Sequence, residues 1–505
     1  MNNQESLTIE TDDVSEAGRV ILQNIGLFAG DGPQDIVLST QRANHRAIKN
    51  WLTKYRPVDR EGNLSQVTGL LEAFYHLCQV EAWEKATEFL LLRIHVVNQR
   101  LQGSLTDPLH LQLGRWGHYR TQIQLYESLL GQGSPDVDLV CLNGLGLSHQ
   151  SLGEHRKAIE YHTQHLDLAR QMPDLEAQQN GLCNLGNVYG TIDQHAEARA
   201  YYEQALDIAR QIGDARGDGK LLGNFGVLAR SQGEFEAAID YQQQHLQIAM
   251  ALDDQEGQAN ALENLGVSHY YLGAYDIARD LFQGSLRVSA QIGDRKAVAV
   301  TLGSLGNVST VLEQFQEALQ YYGQQLEIAR DIGYLEGEEK AVGNMGIVYK
   351  ELGDYPASLE YLQRKLSLAY QLQSRESEAH ALSNMGNTYT CLENYGEAIR
   401  CQHASIELFR DVGDRWGCAA AMCNLGDAYR LSEDFDQAVL WLLNSLIIFD
   451  ALQAAQIETV MLLLTQVAFS VGIENYIELL EKHLLAIQVE QGEEIVQSLR
   501  SHLFE

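Results

Sequence analysis

A glycine that follows Leu, Met or Phe recurs every 40 residues through the middle of this 505-residue chain, without an insertion or deletion. The eight positions are Gly146, Gly186, Gly226, Gly266, Gly306, Gly346, Gly386 and Gly426. Other residues keep the same phase: an apolar residue lies four positions before each glycine, and Ala or Ser lies twelve positions after it. A fixed period of this length is typical of arrays in which each repeat packs only on its neighbours.

The spacing within one repeat predicts a pair of helices. Residues 182–189 place apolar side chains at i, i+3 and i+7 around the glycine, and residues 198–209 repeat such a face. The string Ile-Gly-Asp at 212–214 lies between two repeats, where Gly suits a left-handed helix end and Asp suits the cap of the next helix. A glycine inside a helix costs about 1 kcal/mol relative to Ala. We therefore expect each repeat glycine to lie against the Ala twelve residues later, so that the two backbones approach closely.

The period divides the chain into four predicted parts. Residues 136–454 form eight 40-residue repeats, and residues 66–135 resemble two degenerate repeats that lead into them. The phase is lost after 455, so residues 455–505 are expected to form capping helices. Residues 1–65 form an N-terminal segment that does not repeat.

A basic amphipathic helix is predicted within residues 42–60 of that segment. Ile48, Trp51, Leu52 and Tyr55 follow helical spacing, and basic side chains outnumber acidic ones there. One interpretation docks the helix on the first degenerate repeat with its charges in solvent. The other makes it a detachable partner-binding segment.

Composition excludes several classes of function. The formal net charge of -32 argues against nucleic-acid binding and against anionic membranes, since both need a basic surface. The longest apolar stretch, 459–471, is too short to span a bilayer, and the first residues do not resemble a signal peptide. Seven cysteines without CxxC spacing indicate reduced, buried thiols and favour a cytoplasmic location.

Two strings in the second repeat carry a family resemblance: Asn-Leu-Gly-Asn-Val-Tyr at 184–189 and Tyr-Tyr-Glu-Gln-Ala-Leu at 201–206. They resemble the two helices of the tetratricopeptide repeat in its 40-residue form, as in Pins/LGN-like adaptors, kinesin light chains and bacterial signalling arrays. The resemblance covers residues 136–452. It implies an all-α fold, a right-handed α-solenoid (superhelix) of helical hairpins with helical caps. It also implies a non-enzymatic scaffold that binds a peptide in its concave groove.

No catalytic, cofactor or metal site is predicted. The string Gly-Asp-Gly-Lys at 217–220 is not followed by Ser or Thr and has no preceding strand, which argues against a phosphate loop. His162 and His165 share a helix face near His155. Because metal sites need three or four convergent ligands, ordinary surface variation is the favoured interpretation of these histidines.

A row of asparagines is the strongest candidate for a binding site. Asn stands two positions before six of the eight repeat glycines, at Asn184, Asn224, Asn264, Asn344, Asn384 and Asn424. By the resemblance this row lines the groove, together with positions six before, three before, one after and four after the glycine. Those positions add Asn187, Lys220, Arg230, Lys340, Lys350, His380, Asn387 and Arg430, against Glu263 and Asp427. An amide can pair with both groups of a peptide unit, or it can join neighbouring helices, and both interpretations remain open.

Three functions follow from these observations. The first is an adaptor whose mildly positive groove binds an extended or helical peptide of a protein partner that carries acidic residues. The second is a signalling sensor that acts through residues 1–65. The third is a metal- or nucleotide-dependent enzyme, which no motif supports.

Overall fold

The computed structural model describes residues 7–9, 39–54, 63–91, 94–96 and 108–504. Helices dominate these ranges, so the predicted all-α class is confirmed. One small feature was not predicted from the sequence. Two three-residue strands, β1 (Leu7–Ile9) and β2 (Ile94–Val96), pair in parallel, with Leu7 opposite Ile94.

Five helices precede the regular repeats. They are α1 (Ser39–Lys54), α2 (Asn63–Gln79), α3 (Trp83–Leu91), α4 (Leu109–Arg115) and α5 (Tyr119–Leu129). Ile48 and Leu52 of α1 are buried in a core that α2 and α3 share, as the docked interpretation of the basic helix requires. Tyr55 and the rest of the predicted 55–60 segment lie outside the described residues.

The eight repeats form eight helical hairpins. Their helices are α6 (Pro135–Ser151) and α7 (His155–Gln171), α8 (Leu175–Thr191) and α9 (His195–Ile212), α10 (Ala215–Ser231) and α11 (Phe235–Ala251), α12 (Gln255–Tyr271) and α13 (Tyr275–Gln291), α14 (Arg295–Val311) and α15 (Phe315–Asp331), α16 (Leu335–Glu351) and α17 (Tyr355–Leu372), α18 (Arg375–Cys391) and α19 (Tyr395–Val412), and α20 (Arg415–Leu431) and α21 (Phe435–Ala451). The predicted capping helices follow as α22 (Ile457–Val471), α23 (Ile473–Gln491) and α24 (Glu493–Phe504).

The chain divides into two compact units, Met1–Glu338 and Glu339–Glu505, and the boundary falls inside α16. Within each unit, consecutive helices pack against each other. The largest core of the C-terminal unit lies where α21 meets the three capping helices, and it contains Leu443, Phe449 and Leu464. The domain boundaries predicted at residues 65, 135 and 454 stay predictions.

The turns between helices follow the predicted chemistry. Gly213 ends α9 with a φ of 71°, in the left-handed region. Asp214 then caps α10, because its side chain accepts a hydrogen bond from the backbone N–H of Gly217. Asp294 and Asp414 cap α14 and α20 in the same way. The hairpins that carry such a cap therefore begin at a defined residue, which fixes the phase of the side chains that follow.

The repeat glycines make room for a large side chain rather than for the Ala that the sequence analysis expected. A methyl group added at Gly186 would lie 2.4 Å from the ring of Tyr202, and one at Gly266 would lie 2.5 Å from the ring of Phe282. The residue sixteen positions after the glycine fills this space in all eight hairpins. These residues are His162, Tyr202, Gln242, Phe282, Tyr322, Leu362, Gln402 and Leu442. The Ala or Ser at position +12 is also fully buried in each hairpin, but it is not the main neighbour of the glycine.

Two expectations about side-chain burial were wrong. His162 and His165 are buried rather than on the surface, because they fill the spaces beside Gly146 and Gly181. Cys391 is exposed, and Cys78 and Cys183 are only partly buried, although all seven cysteines are free thiols. Helical spacing alone could not predict this, since it reports which residues share a face but not how closely the neighbouring helix approaches.

We predict that His162→Gln makes the protein more resistant to mild acid. Burial lowers the pKa of His162 to about 4, whereas an unfolded histidine titrates near 6.5. The unfolded chain therefore binds the proton first, so this contribution to stability is intact above pH 6.5 and is lost as the pH falls toward 4. At pH 5 the loss is about 2 kcal/mol for one such group.

Glutamine occupies the equivalent position in two sister hairpins, where Gln242 and Gln402 donate to backbone carbonyl oxygens. The substitution should therefore fit. Urea denaturation followed by circular dichroism at pH 8 and pH 5 measures the effect. A variant that loses as much stability as the wild type between the two pH values would contradict the prediction.

We also predict that Glu393→Gly stabilises the C-terminal unit by about 0.5–1 kcal/mol. Glu393 has a φ of 58°, a left-handed conformation that glycine adopts without strain. Gly353 holds the same position in the preceding hairpin, with open space around it. The reciprocal change Gly353→Ala is the control and should lower the thermal midpoint. Equal midpoints for both variants would show that this corner is not strained.

Candidate functional site

The first helix of each hairpin has one side that is not covered by the second helix. We call this side the first-helix face, and we count positions from the repeat glycine. Position −6 is exposed at Lys220 and Lys340, and position −2 is half-buried at Asn184 and Asn384. The face therefore combines exposed and half-buried polar side chains.

In the N-terminal unit, residues at position −2 join adjacent hairpins. Asn184 Nδ2 donates to Asn143 Oδ1 at 2.7 Å, and Asn224 Nδ2 donates to the Cys183 sulfur at 3.1 Å. In both cases the acceptor is at position −3 of the preceding hairpin, 41 residues earlier. These amides hold helices together, as the structural interpretation of the row proposes.

A partly buried charged cluster replaces this bond further along the same unit. Ser304 and Thr301 both donate to the carboxylate of Glu263, at 2.5 Å and 2.9 Å. Burial raises the pKa of Glu263 and lowers that of the nearby Arg230. Arg230 Nη1 donates to Asn264 Oδ1 at 3.4 Å, while Asn264 Nδ2 donates to the main-chain oxygen four residues earlier in α12. The polar groups of this cluster therefore bond to one another.

In the C-terminal unit the amides of Asn384 and Asn424 have no hydrogen-bond partner among the described residues. Position −3 of the preceding hairpin gives neither amide the bond that Asn184 and Asn224 make. Gly343 has no side chain to offer Asn384. Ser383 holds that position before Asn424, and its hydroxyl is directed to Gln402 Oε1, to which it donates at 3.2 Å. These two amides are therefore available to a ligand.

The asparagines at position +1 are oriented by the residue that fills the glycine space. Tyr202 donates its hydroxyl proton to Asn187 Oδ1 at 2.8 Å, and Gln402 Nε2 donates to Asn387 Oδ1 at 2.8 Å. Because the amide oxygen is engaged in each case, the NH₂ group is the part that can donate to a ligand. Asn387 therefore presents a fixed donor next to the free amide of Asn384.

The cations of the C-terminal face are partly neutralised by their neighbours. Lys350 forms an ion pair with Glu351 at 2.9 Å, and Arg430 donates two hydrogen bonds to Asp427 at 2.8 Å and 2.6 Å. Burial lowers the pKa of His380, so its ring is neutral at pH 7. These three predicted site residues add little net positive charge to the face.

Two lysines at position −6 keep their charge available. Lys340 in the C-terminal unit and Lys220 in the N-terminal unit are exposed and have no ion-pair partner among the described residues. Asn344, in contrast, already interacts within the chain and is not counted with the free amides. Among the predicted site residues of the C-terminal unit, those with polar groups unengaged by any described residue are thus Lys340, Asn384 and Asn424, with the oriented NH₂ group of Asn387.

The sequence analysis missed the residues that decide whether an amide is free. Asn143 and Cys183 at position −3 accept a hydrogen bond from the Asn at position −2 of the next hairpin, and Gly343 has no side chain to do so. Gln402 and Tyr202 at position +16 orient the Asn at position +1. Position −3 of one hairpin lies 41 residues before position −2 of the next. An alignment of the repeats at a period of 40 does not compare these two positions.

Two general features of the described ranges bear on the class of site. None of their helices is long and apolar enough to cross a bilayer. They also contain no cluster of three or more side chains suited to hold a metal ion.

The fold and the face define an array of helical hairpins whose first helices carry a polar face. A family model described as tetratricopeptide repeat matches residues 178–251, 257–331, 298–371 and 377–448, which together exceed half of the chain. A second model with the same description matches residues 142–176. The chain belongs to the tetratricopeptide repeat family. A search of curated proteins gave no match.

Several solved structures are similar to the chain. A Rap protein in complex with competence and sporulation factor is 12% identical, with 77% of this chain and 99% of that one covered and a TM-score of 0.49. The apo quorum sensor NprR from B. thuringiensis is 15% identical, with 67% and 97% covered and a TM-score of 0.47. A signal transduction ATPase with a tetratricopeptide repeat sensor, from Pyrococcus horikoshii, is 12% identical, with 98% and 92% covered and a TM-score of 0.47.

We predict that Asn184→Ala and Asn384→Ala have different effects on stability. Both changes remove an asparagine from a helix and gain the same propensity for Ala. Only Asn184→Ala breaks a bond between hairpins and leaves Asn143 Oδ1 unpaired, which should cost about 1 kcal/mol more. Thermal unfolding of the two variants measures the difference. If Asn384→Ala is as destabilising as Asn184→Ala, then Asn384 also has a structural role.

Proposed function

We propose that the protein is a non-enzymatic adaptor, and that the first-helix face of its C-terminal unit binds a peptide segment of a partner protein. The observation that carries this proposal is the pair of unengaged amides at Asn384 and Asn424, in a row whose members elsewhere bond to their neighbours. A half-buried amide without a partner loses hydrogen bonds that water only partly replaces. A ligand that restores those bonds is therefore favoured.

The donors and acceptors fit a peptide backbone. Asn384 and Asn424 can each pair with both the N–H and the C=O of a peptide unit, and the oriented NH₂ of Asn387 can donate to a carbonyl oxygen. Such bonds do not depend on the ligand's side chains. The face therefore holds the main chain and leaves sequence selection to the neighbouring residues.

The exposed ammonium group of Lys340 supports selection of a carboxylate in the ligand. Lys340 lies at position −6 of α16. Position −6 belongs to the same first-helix face as position −2, which Asn384 and Asn424 occupy in the next two hairpins. Lys350 contributes less, because it shares its charge with Glu351. We propose an acidic side chain in the ligand opposite Lys340. Ionic strength should weaken the contact, since the lysine is open to water.

The adaptor role is favoured over the sensor role because the apolar face of α1 is already occupied. Ile48 and Leu52 are buried, so this helix is not a free contact segment for an effector. The proposed location is the cytoplasm, where seven free thiols would stay reduced.

Peptides selected on the full-length protein from a random display library test the proposal. They should be enriched in Asp and Glu. We expect Asn384→Ala/Asn424→Ala and Lys340→Glu each to weaken the selected peptides about tenfold. Neither variant should lower the stability by more than about 0.5 kcal/mol, because none of the three side chains bonds to another residue that the structure describes.

Matched controls separate this face from the rest of the molecule. Asn180→Ala/Asn260→Ala removes two amides from the first-helix face of the N-terminal unit. Lys157→Glu makes the same charge change on α7, where Lys157 pairs with Glu154. Both controls should bind the peptides like the wild type. Loss of binding in the controls, with binding retained in the test variants, would move the site to the N-terminal unit.

A further inference from the structure

A cavity of about 360 Å³ lies within the C-terminal unit, where α19, α20 and α21 meet. Its volume falls in the range of about 300–1,000 Å³ that small-molecule sites occupy. The apolar part of its lining consists of Phe409, Cys418 and Met422, which are buried, and Ile447 and Ile448, which are partly buried. We call this space the α19–α21 cavity.

Two arginines and an amide complete the lining. Arg410 lies in the last turn of α19, Arg415 is the first residue of α20, and both are exposed. The partly buried Asn444 donates its Nδ2 to the main-chain oxygen four residues earlier, at 2.9 Å. Among the described residues, Asp414 is the only carboxylate of the lining. Two guanidinium groups against one carboxylate leave a net positive charge, in a chain whose formal charge is -32.

Other hairpins neutralise the arginine that begins their first helix. In α14 and α18 this arginine pairs with an aspartate 36 residues later. The two pairs are Arg295 with Asp331, at 2.9 Å, and Arg375 with Asp411. The residue 36 positions after Arg415 is Ala451. Arg415 therefore lacks this carboxylate, and it has no ion-pair partner among the described residues.

A second carboxylate is also replaced at this corner. In α9 and α15 the arginine at the position of Arg410 pairs with the acid eight residues later. The two pairs are Arg210 with Asp218, at 3.7 Å, and Arg330 with Glu338, at 3.1 Å. The residue eight positions after Arg410 is Cys418, and burial raises the pKa of its thiol, so it is uncharged at pH 7. Arg410 pairs instead with Glu407 at 3.1 Å, an exposed contact that competes weakly with a ligand.

We propose that the α19–α21 cavity binds a small amphipathic carboxylate, in which an apolar chain or ring carries one anionic group. The ligand's carboxylate pairs with Arg415 and Arg410, and so takes the part that aspartate and glutamate side chains play in the sister hairpins. Guanidinium groups suit this role because they bind carboxylates through two parallel hydrogen bonds. The apolar part of the ligand lies against Met422, Ile447 and Ile448. The site is separate from the first-helix face, since it shares none of the predicted groove residues.

The lining favours a carboxylate over two other kinds of small molecule. A phosphate ester carries a second negative charge, which the carboxylate of Asp414 in the same lining would repel. An uncharged apolar molecule would contact the same walls but would leave the charge of Arg415 unpaired. A monocarboxylate with an apolar body uses both parts of the cavity.

Isothermal titration calorimetry of the full chain with octanoate tests the proposal. We expect saturable binding at a single site. Acetate has the charge without the chain, and 1-octanol has the chain without the charge, so each should bind at least about tenfold more weakly. Octyl phosphate should also bind more weakly than octanoate.

Two substitutions at exposed positions assign the binding to this cavity. Arg415→Gln removes the unpaired guanidinium group. Ala451→Asp gives Arg415 the partner that its counterparts have in α14 and α18. Each should weaken octanoate about tenfold. Arg295→Gln makes the same change at an arginine that is already paired, and it should bind like the wild type. Circular dichroism checks that each variant is folded.

Three results would overturn the proposal. The first is the absence of saturable octanoate binding, or equal affinity in the wild type and in both cavity variants. The second is binding of 1-octanol as tight as that of octanoate, which would show that the arginines do not select a charge. The third is tighter binding of octyl phosphate, which would make the ligand a phosphate ester. None of these results affects the proposed peptide site, because the cavity and the first-helix face are tested with different ligands and variants.

Discussion

The rest of the fold depends on the contact between each repeat glycine and the side chain sixteen residues later. At Gly186 and Gly306 the ring of a tyrosine lies where any other residue would place its Cβ. The glycine therefore sets how closely the two helices of a hairpin approach, and this recovers the helix propensity that it costs. The same contact orients the amides at position +1, since the polar ends of Tyr202 and Gln402 donate hydrogen bonds to Asn187 and Asn387.

The sequence predicted the hairpins well because their determinants are local and periodic. The helix bounds follow from apolar spacing, and the corners follow from residues such as Gly213 and Asp214, whose conformational roles are specific. The partner of the glycine was not predictable in this way. It depends on the angle at which two helices pack, and the alignment of equivalent residues showed only that position +12 is always small.

The candidate site was predictable in outline but not in detail. The row of asparagines was visible from Asn184 to Asn424, yet two members of that row have opposite states. What separates them is a neighbour in the preceding hairpin, Asn143 in one case and Gly343 in the other. A pattern within one repeat cannot report this difference. The state of an amide is a property of two adjacent repeats.

This dependence gives the order of the hairpins a meaning of its own. A hairpin moved to another place in the array would keep its helices and its glycine contact, because both are internal to it. Its amide, however, would lie beside a different residue at position −3 of the preceding hairpin. Asn224 has Cys183 there, and Asn384 has Gly343. Shuffling the repeats would thus preserve the architecture while redistributing bonded and unbonded amides. Recombination between repeats would change which amides are bonded without any point substitution.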